Sequence, residues 1–277
     1  MPTKIEWCDE VWNPVTGCTP ISEGCQNCYA KRMAKRLAGR FGYPPYAPGA
    51  TGGGTVGAGA ALPGGPKSDP FQVTFHPNRL DLPTKWKKPR RIFVNSMGDL
   101  FHEDVPREIH EEIFARMCLM KWHTFMILTK RPERMKLAFG GRVVPANVWL
   151  GVTAENQARA DERIPILLEI PAAVHFVSVE PMLGPVGLEQ YFLSDADKAA
   201  HEDQLLEPIE GFNYRKIRWV IAGPETGPRA RECEGWWIQH LAAECKQAGI
   251  PFFDKRGSAF VRQWPEKATP LPARLRG

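Results

Sequence analysis

Short segments rich in β-branched and aromatic residues recur along the chain, and a helical pattern follows most of them. They span 72–75, 91–95, 124–128, 148–152, 173–177, 218–221 and 251–253, and residues 12–15 read as a first strand. Most are apolar on both faces, as strands buried within a parallel sheet are. Asp104 reads as a helix cap with Pro106 in the first turn, after which Ile109, Ile113 and Met117 form one stripe at i, i+4 spacing. Trp237, Leu241 and Cys245 repeat that spacing in the last long helix, which Gly249 ends. Strands alternating with helices predict a parallel α/β fold. A partial or full TIM-like (β/α) barrel is the first choice, and a doubly wound open sheet the second.

Two segments break the rhythm. Residues 44–67 hold a Gly-rich run with almost no charge, which reads as a flexible insertion in a long loop. Residues 194–213 are a polar, acidic excursion between two strands, read as a surface helix or lid. Strand–helix units flank both, so the 277 residues are expected to form one barrel domain. Apolar runs end within a few residues, far short of the roughly 20 a membrane-spanning helix needs. The first residues lack the apolar stretch of a secretory signal, which predicts a cytoplasmic protein.

Seven cysteines without an export signal do not read as a disulfide framework. Cys18, Cys25 and Cys28 crowd into eleven residues, while Cys8, Cys118, Cys233 and Cys245 are scattered. The C-x6-C-x2-C loop follows a short strand and precedes a helical stretch at 29–37. Gly17 and Gly24 let the backbone turn tightly, and the helix N-terminus sets positive potential beside anionic thiolates. Structural iron–sulfur and zinc sites ordinarily take four protein ligands. Three cysteines leave one coordination position open, as chemistry requires. Structural zinc, completed by Cys8 or a distant histidine such as His102, stays open as an alternative on spacing alone.

In parallel barrels and sheets, chemistry collects at the carboxyl ends of strands. Here those ends carry Asn95-Ser96-Met97-Gly98-Asp99, Thr129-Lys130-Arg131, Thr153-Ala154-Glu155-Asn156, Ser178-Val179-Glu180 and Gly223-Pro224-Glu225, with Asp254-Lys255-Arg256 after the last strand. Taken singly, Thr153 and Ser178 read first as helix caps. In a closed barrel Asp99, Glu155, Glu180 and Glu225 would converge on one mouth. Their mutual repulsion would call for an ammonium ligand, ribose hydroxyls, or Lys130 and Arg131.

Longer motifs carry a resemblance: Trp12-Asn-Pro-Val-Thr-Gly-Cys18, Cys25-Gln-Asn-Cys28-Tyr-Ala, and the run from Phe93 to Val105. Leu128-Thr-Lys-Arg-Pro132, Gly151-Val-Thr-Ala-Glu-Asn156, Asp161-Glu-Arg-Ile-Pro165 and Ser178-Val-Glu-Pro181 continue it. From Lys4 to Arg256 the chain resembles a phage-associated three-cysteine family catalogued as of unknown function and related to radical S-adenosylmethionine (SAM) barrels. The resemblance implies a 4Fe-4S cluster on Cys18, Cys25 and Cys28, with SAM on the remaining iron. It implies Ser96, Gly98 and Asp99 at the methionyl end of SAM, and Thr153, Glu155 and Ser178 toward the ribose. Lys130 would meet the carboxylate, and Glu180 and Glu225 would serve substrate or SAM. Cys8 is expected to be a non-ligand.

The net charge of +5 permits a polyanionic partner. Lys85, Lys87, Lys88, Arg90 and Arg91 surround Trp86, and further cations cluster at 31–36 and 130–134. Such clusters track a phosphate backbone, with Trp86 available for stacking, or else form a solvated face. Together with the phage association of the resemblance, they point to a modified thymine-type base in DNA, rearranged or isomerised in hypermodification. A flavodoxin or ferredoxin would be the electron donor, and the host cytoplasm the compartment if a phage encodes the chain. Two rivals are a radical enzyme acting on a free nucleotide or a protein, and a zinc-stabilised nucleic-acid-binding module without catalysis.

Overall fold

The computed structural model describes residues 5–38, 60–61, 69–192, 216–256, 259 and 261–265. The chain divides into two compact units, Met1–Ala138 with Thr226–Arg229, and Phe139–Glu225 with Ala230–Gly277.

The first unit contains β1 (Glu10–Trp12), β2 (Val15–Thr16), α1 (Tyr29–Arg36), β3 (Ala60–Ala61), β4 (Thr74–Phe75), β5 (Arg91–Val94), α2 (Arg107–Leu119), β6 (Thr124–Thr129) and the start of α3 (Pro132–Phe139). β1 pairs in parallel with β5, and β5 with β6. Pro14, which has no N–H for a ladder, follows β1 within two residues. Val15 and Thr16 pass instead to a small antiparallel sheet of order β2-β4-β3. Residues 72–75 were expected to join the rhythm of buried parallel strands. They contribute Thr74 and Phe75 to this small sheet instead, and the Gly-rich insertion contributes Ala60 and Ala61.

α2 corrects the expected cap. Its N-terminal boundary is Pro106, with no side-chain cap, while the Asp104 N–H donates to His102 Nδ1 at 3.1 Å. The fully buried stripe is His110, Ile113 and Met117, and Ile109 is half-buried. His110 tolerates that position because its Nε2 meets the Leu100 carbonyl at 2.8 Å, so its polar edge is satisfied inside.

The second unit contains β7 (Val148–Thr153), α4 (Gln157–Leu168), β8 (His175–Val179), β9 (Ile217–Ala222), α5 (Gly235–Gln247) and β10 (Phe252–Asp254). Every residue of β7 and β8 is buried, which explains why these segments read as continuous apolar runs. Asn156 caps α4, its side chain accepting the Arg159 N–H at 3.0 Å, so the cap after β7 is not Thr153. Gly249, at φ +65°, follows α5 as expected. The polar excursion at 194–213 and most of 44–67 lie outside the described residues.

Among the described residues seven parallel strands form one sheet in the order β1-β5-β6-β7-β8-β9-β10. Each strand lies beside its chain predecessor within that sheet. This is the connectivity of a TIM-like (β/α) fold with fewer than eight strands, not of a doubly wound sheet, whose order reverses at a switch point.

Candidate functional site

In the first unit the cysteine loop hangs from a close approach of two glycines. Gly17, at φ +89°, forms a parallel bridge with Gly98, its N–H donating to the Met97 carbonyl at 2.9 Å. A Cβ on Gly17 would lie 2.1 Å from the Gln72 oxygen, and one on Gly98 would lie 2.7 Å from the Gly17 oxygen. Gly98 therefore has a packing reason to be glycine, independent of any ligand. Cys18 follows, its N–H donating to the Phe71 carbonyl at 3.2 Å, and Cys25 closes a short 3-10 turn. Cys28 stands directly before α1. Beneath the loop Ala30, Ala34, Phe71 and Met97 form an apolar floor, against which Cys18, Cys28, Met33 and Leu37 pack. Such a floor lowers the local dielectric and strengthens the field of nearby charges.

Arg131 supplies the nearest charge. Its side chain is 4% exposed, and it follows the end of β6. Nη1 donates to Cys18 Sγ at 3.3 Å and to Asp99 at 3.3 Å. Nη2 donates to the Thr19 carbonyl at 3.1 Å and hydroxyl at 3.0 Å, and Nε donates to Glu103 at 3.0 Å. Asp99 also accepts from the Thr129 hydroxyl at 2.7 Å and from the Phe101 and Lys130 N–H groups. Its two oxygens are thus engaged within the protein.

The thiols respond to these surroundings. Burial, followed by the Asp99 charge, pushes the Cys18 thiol up to about 12, against the pull of Arg131. At Cys25 burial acts in the same direction, but hydrogen bonding to the Ile21 backbone, the Lys130 charge and Ser22 outweigh it and lower its pKa.

Cys8 and His102, the fourth ligands considered for a structural zinc, each have a partner within the protein. Cys8 Sγ lies 3.7 Å from the Ile5 carbonyl, and His102 binds the Thr19 hydroxyl at 2.8 Å and the Asp104 N–H. No group of three or more His, Cys, Asp or Glu among the described residues is placed to share a single metal ion. A cluster places each thiolate on a different iron and does not need them packed around one centre. The donor set and its cationic, apolar surroundings fit such a three-thiolate cluster.

In the second unit the strand-end acids close on cations. Glu155, fully buried, meets Arg163 Nη1 at 2.8 Å, and the same nitrogen donates to the Thr153 carbonyl. Glu225 takes Arg231 in a two-pronged pair, Nη2 to Oε1 at 2.6 Å and Nε to Oε2 at 3.0 Å. Lys255 Nζ bonds Glu180. Ser178 is buried within β8. Asp99 and these three glutamates were expected to need an ammonium ligand or shared counterions. Arg131, one of the cations named for this role, meets Asp99, while each glutamate has a separate cation that was not named.

Arg163, Lys255 and Arg231 are the partners that sequence reasoning missed. Arg163 lies eight residues after Glu155 and Arg231 six after Glu225, spacings that offered a signal, whereas Lys255 stands 75 residues from Glu180. Ser96 hydrogen-bonds Asn13 Oδ1 at 3.3 Å at the same strand end as Asp99. In the basic cluster Arg91 pairs with Asp9 at 3.0 Å, and Trp86 sits edge-on to His123 with ring centroids 6.1 Å apart. Lys85, Lys87 and Lys88 are exposed. No helix among the described residues is long and apolar enough to cross a membrane.

Fold and site together define a TIM-like parallel α/β protein with a three-cysteine candidate cluster site in its first unit. The chain belongs to the family described as "Protein of unknown function (DUF5131)", whose family model matches residues 2–271. No curated protein matches the chain in sequence. Among solved structures it is similar to a cysteine-to-serine mutant of spore photoproduct lyase, at 9% identity and a TM-score of 0.47, over 92% of this chain and 78% of that one. That likeness is too slight to carry a functional argument.

Proposed function

We propose that the chain is a radical SAM enzyme whose 4Fe-4S cluster is held by Cys18, Cys25 and Cys28. The observation that carries this reading is one loop bearing three cysteines, Cys18 and Cys28 packed on an apolar floor, with a guanidinium on Cys18 and the Lys130 charge acting on Cys25. Three cysteine ligands leave one iron of such a cluster for a ligand from outside the protein. When bound, such a cluster supplies the electron that cleaves SAM and gives a 5′-deoxyadenosyl radical, which takes hydrogen from substrate.

The chain's own residues bind and orient. Asp99 holds Arg131 against Cys18, and with Ser96 and Gly98 it shapes the methionyl end of a SAM site, Lys130 meeting the carboxylate. A flavodoxin- or ferredoxin-type protein would deliver the electron. The substrate we favour is DNA, because exposed Lys85, Lys87 and Lys88 suit a phosphate backbone; a modified thymine-type base, isomerised or rearranged, is what the phage association of the family resemblance adds.

Anaerobic reconstitution should give brown protein with about four irons per chain, and SAM plus dithionite should then yield 5′-deoxyadenosine. Protein loaded with iron and sulfide that never yields it would overturn the reading. Colourless protein holding one zinc would replace it with a structural metal site. Duplex DNA binding should weaken steeply with salt, and Lys87→Ala with Lys88→Ala should lessen that slope. Salt-insensitive binding would remove DNA as the substrate.

A further inference from the structure

We infer that Arg131 is a positioning residue that raises the reduction potential of the cluster by holding a cationic N–H on the thiolate of Cys18. This rests on the cluster reading above and assigns a role within it. Cys18 lies 113 residues before Arg131 in sequence, yet the guanidinium reaches its sulfur at 3.3 Å. The geometry of that guanidinium is overdetermined. Asp99 and Glu103 grip two of its nitrogens, and the Thr19 carbonyl and hydroxyl grip the third, so it cannot swing away from the sulfur. Thr19 is also the residue after Cys18, so the same guanidinium holds the backbone just past the ligand as well as its sulfur.

A purely mechanical anchor would not need a permanent charge at this point, since a neutral amide could bond the Thr19 carbonyl. A buried cation on a ligand sulfur has an electrostatic consequence. Reduction adds one electron to the cluster and makes its net charge more negative by one, with no bond made or broken in the protein. A fixed positive charge and an N–H···S hydrogen bond stabilise the reduced form more than the oxidised form, and so raise the potential. Glu103 works against this. It accepts from Arg131 Nε while its own side chain is 57% exposed, so it offsets part of the guanidinium charge from the solvent side.

The two residues therefore predict shifts of opposite sign. Midpoint potentials are measured by dithionite titration of the reconstituted full-length protein, followed by electron paramagnetic resonance of the reduced cluster. Arg131→Gln should shift the midpoint to more negative values, Arg131→Lys should recover part of the loss, and Glu103→Gln should shift it to more positive values. Wild-type potential in Arg131→Gln with wild-type iron content would overturn the inference. Should Arg131→Gln not fold or load, Glu103→Gln decides, a positive shift supporting the role and an unchanged midpoint overturning it. Wild-type protein that takes up no iron and sulfide would defeat the cluster reading itself, and this inference with it. A loaded wild type whose variants share its potential defeats the inference alone.

Discussion

At the strand ends of the second unit each acid closes on its own cation: Glu155 on Arg163, Glu180 on Lys255 and Glu225 on Arg231. In the first unit a single guanidinium, Arg131, serves Asp99, Glu103 and the thiol of Cys18 at once. Where both partners are buried, as for Glu155 and Arg163, breaking the pair strands a charge at a cost of about 3–5 kcal/mol. Where both are about a quarter exposed, as for Glu180 and Lys255, solvent screens the pair to roughly 1 kcal/mol or less. The first unit lacks that one-to-one closure, and its shared cation points at sulfur. Acids at strand ends therefore do not mark a cofactor site by themselves. A cation left facing a cysteine is the more informative sign.

The sharpest way to break this contrast is at the cysteines. Cys28→Ala in the first unit should abolish iron and sulfide uptake, while Cys245→Ala in the second, at a site buried within α5, should leave uptake intact. Equal loss of iron in both variants, measured after reconstitution, would show that uptake does not belong to the first unit.

The next largest effect tests the buried pair of the second unit. Arg163→Leu leaves Glu155 buried without its guanidinium and should cost about 3–5 kcal/mol in urea unfolding. Arg163→Leu combined with Glu155→Gln should recover most of that loss. Iron uptake by the double variant should match wild type. A double variant as unstable as the single one would mean that the pair is not a closed unit.

The smallest effect separates the units by pH. Burial, followed by the Arg79 charge, lowers the His76 pKa to about 3, against 6.5 for a free histidine. Burial likewise lowers the pKa of His102, His110 and His123, all in the first unit. Below pH 6.5 the unfolded chain then binds protons that the folded chain refuses, so stability is complete above 6.5 and falls as pH drops toward 3. His76 alone should cost about 1 kcal/mol by pH 5.5. His76→Gln should flatten this acid limb in urea unfolding, and hydrogen exchange on acidification should open the first unit before the second. A limb of unchanged slope in the variant would assign the titration to other groups.

Much of the fold was legible because it is written in local patterns. Continuous apolar runs at 148–152 and 173–177 match the buried β7 and β8, and the i, i+4 spacing of Leu241 and Cys245 matches the buried face of α5. Segment 72–75 misled because a short apolar run has the same composition in a parallel core strand as in a small antiparallel sheet, and only its partner distinguishes them. Asp104 misled because an acid before a proline resembles a cap, while His102 draws the Asp104 backbone into a different turn.

By itself the sequence determined the alternation of strands and helices, the loop that carries Cys18, Cys25 and Cys28, and the tight turn that Gly17 permits. These follow from side-chain periodicity and from backbone freedom within a few residues. Only the tertiary structure decided that Gly98 must be bare so that Gly17 can reach it, that Lys255 belongs to Glu180, and that Arg131 lies on Cys18. Those contacts join residues far apart in the chain. Strand order and register set which ends meet, and so they also set which charge each acid and each thiol feels.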